Sequence, residues 1–356
     1  KAVALTDIVQ VTLLVLGGAM VSYLTLSQIG DGSAWAGFNE LSRRAPEKFD
    51  MILSPDNPFY KDLPGLSVLI GGMWIANLSY WGFNQYIIQR ALAAKNLAEA
   101  QKGVVFAAYL KLLMPVIIVL PGIAAVVLAP DLAKPDQAYP TMMRYLPSGL
   151  LGLVFSALVA AIIASTASKI NSIATIFTLD LYAKAKGIPT RAEDGGDADA
   201  RAASEKHLVT VGRIAAAVSI GIAILAARPL IGQSDQAFQF IQEFSGFFTP
   251  GITVIFLLGL FWKRASEPGA IAAAVASVVL SYLFRQFAPD VPFMNRMGLV
   301  FLISLALAVA ISLVRPAGAE ANRIRTDDVG YATSTGFNIG GVGVILILIA
   351  LYATYW

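Results

Sequence analysis

Nine long apolar stretches separated by polar connectors constrain this chain more than any motif does; they fall near residues 4–29, 66–88, 104–129, 150–181, 209–231, 238–261, 270–284, 299–313 and 341–355. A helix rising about 1.5 Å per residue needs about 20 apolar residues to cross a hydrocarbon core about 30 Å thick. Most of these runs meet that length, and 270–284 and 299–313 reach it only with flanking residues. Hydrophobic residues make up 57% of the 356 and charged residues 14%. The class is therefore all-α integral membrane, with about nine spans.

The same composition removes several function classes. There is no cysteine and one histidine, His207, so haem, iron–sulfur clusters and structural zinc lack ligands. The net charge of +3 calls for no nucleic-acid partner. What matters is where the positive residues lie, and Arg90, Lys95, Lys102, Lys184, Lys186, Lys263 and Arg264 gather on the side that holds the N-terminus. By the positive-inside rule that side is cytoplasmic, and an odd number of spans puts the C-terminus outside.

The connectors differ in character. Residues 30–64, rich in acids and prolines, read as an external cap; 93–102 as a short cytoplasmic helix; 187–204 as a flexible inner loop. The sequence opens on Lys and enters a span almost at once, as the later part of a longer protein would.

Polar chemistry inside the apolar runs marks candidate sites. Lys111 lies roughly 12 Å into the third run, counted from Gly103 at about 1.5 Å per residue. An unpaired ammonium at that depth costs several kcal/mol, which makes it a functional candidate; snorkelling towards headgroups is the alternative. On the second run Trp74, Asn77, Tyr80, Trp81, Asn84 and Gln85 recur at steps of three and four, forming a polar-aromatic stripe on one helix face. Carboxamides need partners when buried, and aromatic faces stack on the apolar faces of sugar rings. An interfacial aromatic belt would instead cluster at the ends, whereas Asn77 and Tyr80 are central. The pair Gly71-Gly72 suits a helix broken at mid-membrane.

On the sixth run Phe238, Gln242, Ser245 and Thr249 share a face, Pro250 and Gly251 predict a kink, and Glu243 points about 100° away as an outer-edge charge. The fourth run aligns Ala161, Ser165, Ser168, Ser172 and Thr175. A carbonyl freed near Ala161 and the Ser165 hydroxyl would supply oxygens for sodium, and a small-residue stripe equally serves close helix packing. Asp7, at the start of the first run, either caps a helix start or sits on an ion exit path.

Three segments together resemble the sodium/solute symporter family, within it the bacterial sodium/galactose and animal sodium/glucose cotransporters: 77–90 (NLSYWGFNQYIIQR), 164–180 (ASTASKINSIATIFTLD) and 238–251 (FQFIQEFSGFFTPG). The resemblance covers nearly the whole chain. It implies a LeuT-type inverted-repeat fold, with residues 1–30 as the last helix of the first repeat, 64–262 as the second repeat and 266–356 as three accessory helices. The earlier core helices would then precede this chain. It also implies sodium-coupled symport of a monosaccharide of the galactose or glucose type, across a bacterial inner membrane, with no enzymatic step. Residue by residue, Asn77, Lys111 and Gln242 match sugar-binding positions, Tyr80 the inner gate, and Trp81 and Phe238 the cavity lining. Ala161 and Ser165 match the sodium site and Asp7 the sodium release route. Where the family often has a second serine directly before Ser165, this chain has Ala164, which lacks the hydroxyl for a strengthened or second ion site. Symport of sialic acid, myo-inositol or proline is the alternative within the class. A non-transporting membrane sensor is the alternative outside it.

Overall fold

A computed structural model describes residues 2–63, 65–189, 198–231, 236–316, 330 and 332–356. Its elements are helical. In chain order they are α1 (Ala2–Ile29), α2 (Ala34–Arg44), α3 (Trp74–Leu78), α4 (Gln85–Leu92), α5 (Leu97–Leu112), α6 (Leu120–Leu128), α7 (Ala138–Met142) and α8 (Ser148–Thr175). Then come α9 (Lys184–Lys186), α10 (Ala198–Ile231), α11 (Ala237–Gly246), α12 (Thr249–Phe261), α13 (Glu267–Phe287), α14 (Phe293–Val314) and α15 (Thr335–Thr354). Wider π-turns interrupt the series at Leu69–Met73, Ser79–Phe83, Pro115–Val119 and Ile176–Ala183.

Among the described residues seven helices are long and apolar enough to cross a membrane, and α11 with α12, bent by 45°, makes an eighth when counted as one span. This is a multi-pass membrane protein. The expected runs 270–284 and 299–313 lie within α13 and α14, helices of 21 and 22 residues completed by their flanks. The run 66–88 is different. Two π-turns, α3 and α4 divide it, and the break falls at Asn84, whose backbone is extended (φ −91°, ψ 116°). Three further expectations need correcting. Residues 97–102 are not a separate cytoplasmic helix but the first turns of α5, started by an Asn96 cap whose side chain accepts from the Glu99 N–H. The loop expected over 187–204 is helical from Ala198, because its Ala-rich sequence favours helix; residues 190–197 lie outside the described residues. The Gly71-Gly72 pair lies in the π-turn Leu69–Met73, which widens the helix there without ending it. A Cβ on Gly72 would lie 2.4 Å from the Met294 carbonyl oxygen, and one on Gly298 3.0 Å from Gly71 Cα, so these glycines permit close packing on α14.

The chain forms two compact units. One comprises residues 1–38 and 116–235. In it α1 packs on α8 and α6. Gly17 leaves room for Val154, whose methyl would sit 2.5 Å from an added Cβ. Ser22 donates to the Val116 carbonyl, a group made available by the π-turn at Pro115–Val119. This satisfies an orphan acceptor where no water serves.

The other unit comprises residues 39–115 and 236–356. Its core joins Ile75, Val254, Ala273, Phe293, Met297, Phe301 and Ala308, drawn from α3, α12, α13 and α14. Trp74, which the stripe placed with the polar residues, packs edge-on against Phe301 with ring centres 5.1 Å apart and serves this core. Helix α15 lies along α5: the Tyr109 hydroxyl donates to the Gly340 carbonyl at 3.1 Å, and Gln101 accepts from the Ser334 N–H at 3.0 Å. In the polar connector, Glu40 accepts from Arg43 and Arg44 at 2.8 and 2.6 Å. The hydrogen bonds from Arg43 and Arg44 hold its carboxyl down at about 2.

Candidate functional site

In the second unit the structure brings two of the candidate residues together. The Lys111 ammonium lies over the Trp81 ring, 4.9 Å from its centre. Local structure offsets part of the cost of burying a cation there. Lys111 occupies the last turn of α5, ahead of Pro115 and the π-turn that follows, so it sits where carbonyls of a helix C-terminus are short of donors. The indole face adds a second negative surface. Among the described residues no carboxylate pairs with Lys111; its close contact is the Trp81 ring.

Trp81 reaches Lys111 from the π-turn Ser79–Phe83, which carries Tyr80 beside it. The Tyr80 ring stands edge-on to both Trp81 and Tyr86, at 5.3 and 6.1 Å between centres. Phe83 anchors the end of the turn by stacking on Phe256 of α12, nearly parallel at 4.6 Å. Tyr80 and Trp81 are nevertheless 44% and 45% exposed, so this aromatic surface is open to a ligand. Asn77, one turn earlier, donates to the Met73 carbonyl at 2.8 Å. That bond engages one of its two amide N–H groups and leaves its oxygen without a partner among the described residues.

Gln242 and Phe238 lie one turn apart on α11. The Gln242 carboxamide makes no hydrogen bond to a described residue, and Phe238 is 72% exposed. No described contact joins either to the Lys111–Trp81 pair. The kink expected at Pro250 and Gly251 is present one turn early: α11 ends at Gly246 and α12 begins at Thr249 with Pro250 in its first turn. A residue that the sequence did not single out closes this break. Buried Ser277 of α13 donates to the Phe247 carbonyl at 2.8 Å and accepts from the Gly251 N–H at 3.0 Å. Glu243 is also no free outer-edge charge. Its carboxylate meets Arg296 at 3.0 Å and Arg285 at 3.8 Å.

In the first unit, α8 runs unbroken through Ala161, so the expected freeing of that carbonyl by a helix break does not occur. A helical carbonyl keeps a second lone pair, and the Ser165 hydroxyl lies one turn on. Along this face Val154, Ala157 and Ser172 are buried, while Ser165 between them is exposed. Ser168 and Thr175 return their hydroxyls to the helix at Ala164 and Asn171, whereas Ser165 makes no hydrogen bond to a described residue. Asp7 falls in the first turns of α1, and its side chain lies outside the described residues.

The model of the sodium:solute symporter family matches residues 1–277. This chain belongs to that family. Among curated relatives of this symporter chain is the sodium/glucose cotransporter of Vibrio parahaemolyticus, 45% identical over 376 positions that take in all of the chain and 66% of the relative. The symporter YidK of Escherichia coli, named as uncharacterized, is 30% identical over 99% of the chain and 59% of its own length. The human sodium/myo-inositol cotransporter 2 is 33% identical over 78% of the chain and 43% of its length. The symporter chain thus spans less than two thirds of the length of each.

Proposed function

We propose that the protein containing this chain carries out sodium-coupled symport of a monosaccharide of the galactose or glucose type by alternating access. The observation that carries the reading is the open aromatic surface of Tyr80 and Trp81 with the Lys111 ammonium set over it. A sugar ring offers apolar C–H faces for the aromatics and hydroxyls for Lys111, Asn77 and Gln242, all three of which have unused hydrogen-bonding capacity. Tyr80 serves as the gate over the bound sugar, and Trp81 and Phe238 line its cavity. The named function of the Vibrio relative supports the same solute class.

Sodium is the co-transported ion in this reading. The Ala161 carbonyl and the Ser165 hydroxyl contribute ligands, other oxygens complete the shell, and Asp7 lies on the release route. Each sodium charge entering down the membrane potential supplies about 2.3 kcal/mol per 100 mV, enough to concentrate a neutral solute many-fold. Residues 1–30 close the first LeuT-type repeat, 64–262 form the second and 266–356 are accessory, in a bacterial inner membrane. The bend between α11 and α12 and the interrupted segment 66–88 suit such a repeat, where irregular backbone faces the solute.

The test is uptake by full-length protein in liposomes under an inward sodium gradient, across galactose, glucose, myo-inositol, sialic acid and proline. Sodium-dependent uptake of galactose or glucose is expected. Uptake unchanged when choline replaces sodium sinks the coupling. Preference for myo-inositol is the second reading, favoured by the relatives that bear that name. It uses the same donors on a ring of hydroxyls.

A further inference from the structure

Helix α11 carries Gln242 and Phe238 but has little packing of its own. It is 10 residues long, Gly246 is its buried residue, and Phe238, Ile241 and Phe244 are 72%, 47% and 48% exposed. A helix this short is marginal unless neighbours hold it. Ser277 and Met297 hold its C-terminal end, at the Phe247 carbonyl and against Gly246. At the level of Gln242 the anchor is electrostatic. Arg296, in the first turn of α14, is 13% exposed and donates to Glu243 at 3.0 Å. The next residue in sequence, Met297, and then Val300 and Phe301 are buried, so Arg296 stands on a fixed post. Its Nε is buried without a partner among the described residues, so its one close carboxylate is Glu243. Neighbours on a helix differ by about 100° in direction. Pinning Glu243 to α14 therefore fixes the azimuth at which Gln242 faces away from it.

We propose that the Glu243–Arg296 pair is a positioning device that sets the rotation of α11, and through it the apparent affinity for sugar; this rests on the reading of Gln242 as a sugar-binding residue. Neither residue of the pair touches the solute. Arg285, more distant and on the same oxygen, cannot replace Arg296 in fixing the helix, because its own side chain is 51% exposed.

The experiment compares wild type, Glu243→Gln, Arg296→Gln and the reversed pair Glu243→Arg with Arg296→Glu, all in the full-length protein. In liposomes, Glu243→Gln is expected to raise the KM for galactose about three- to tenfold while the sodium half-saturation stays within about twofold, the range of a partly shielded pair. The reversed pair is expected to recover most of that loss. A KM unchanged in Glu243→Gln, or no recovery in the reversed pair, overturns the proposal. A second measurement does not depend on sugar. Spin labels on Ala237→Cys and Val291→Cys should give one narrow distance in wild type and a broadened distribution in Glu243→Gln. An unchanged distribution overturns the proposal even where KM moves. A wild type with no sodium-driven sugar uptake defeats the sugar reading instead, and the label distances then still decide whether the pair anchors α11.

Discussion

The Lys111 ammonium and the Trp81 indole meet face to centre at 4.9 Å, across the gap between α5 and the π-turn that ends the 66–83 segment. A partly desolvated contact of this kind is worth about 0.5–2 kcal/mol. Trp81→Leu is therefore expected to raise the sugar KM about three- to tenfold, with Trp81→Phe intermediate because a weaker quadrupole remains. Lys111→Met, which keeps the stem and removes the charge, should lose more uptake than Lys111→Arg. Transport kinetics in liposomes check the order. Equal KM in Trp81→Leu and wild type would remove the pair from the site.

At the break in the sixth span, Ser277→Ala leaves the Phe247 carbonyl and the Gly251 N–H unpaired in a buried place. Each such group costs about 1–3 kcal/mol. The variant is expected to melt several degrees lower in detergent. Gly251→Ala should be at least as harmful, since its Cβ would lie 2.7 Å from Ser277 Cβ and 2.8 Å from the Ala273 carbonyl oxygen. Gly82→Ala, whose Cβ meets only Leu78 at 3.6 Å, is the tolerated control. Thermal unfolding followed by size-exclusion chromatography reads all three.

Ser165→Ala removes an unengaged hydroxyl, while Ser168→Ala removes one already bonded to Ala164 at 3.0 Å. The first is expected to raise the sodium half-saturation by about tenfold, the effect of one lost ligand worth roughly 1.4 kcal/mol, and the second to change it little. Sodium titration of uptake at saturating sugar distinguishes them. Equal shifts would assign the stripe to helix packing alone.

Glu40 supplies a pH prediction away from the membrane. Its carboxyl is lowered from 4.5 to about 2 by hydrogen bonds from Arg43 and Arg44. A lowered folded-state value contributes stability that is present above pH 4.5 and is lost as the pH falls towards 2. The melting difference between wild type and Glu40→Gln is thus expected to be flat from neutral pH down to about 5 and to shrink below 4.5. A difference that shrinks between neutral pH and 5 would contradict the assignment.

What was legible in the sequence follows from what one helix can report about itself. Apolar length located the spans because lipid tolerates little else, and helical spacing collected Asn77, Tyr80 and Trp81. Spacing correctly turned Glu243 away from Gln242, yet could not say what waited there, since Arg296 lies 53 residues further on. Ser277 was invisible for the same reason. A serine in an alanine-rich helix reads as packing, and its role depends on a break in another helix. The π-turns also escaped, because each widens the helix by local geometry that no residue type announces. The Gly71-Gly72 pair misled through an ambiguity of glycine, which serves both a broken helix and a close approach of two intact ones.

One consequence of the Ser277 bridge concerns how the bend in the sixth span is lost. A single oxygen both donates across the break and accepts across it, so the two hydrogen bonds share one atom and one rotamer. Rotating that hydroxyl away, or shifting α13, severs both at once. The 45° angle is thereby latched rather than sprung: it does not relax by degrees, but holds or lets go as a unit.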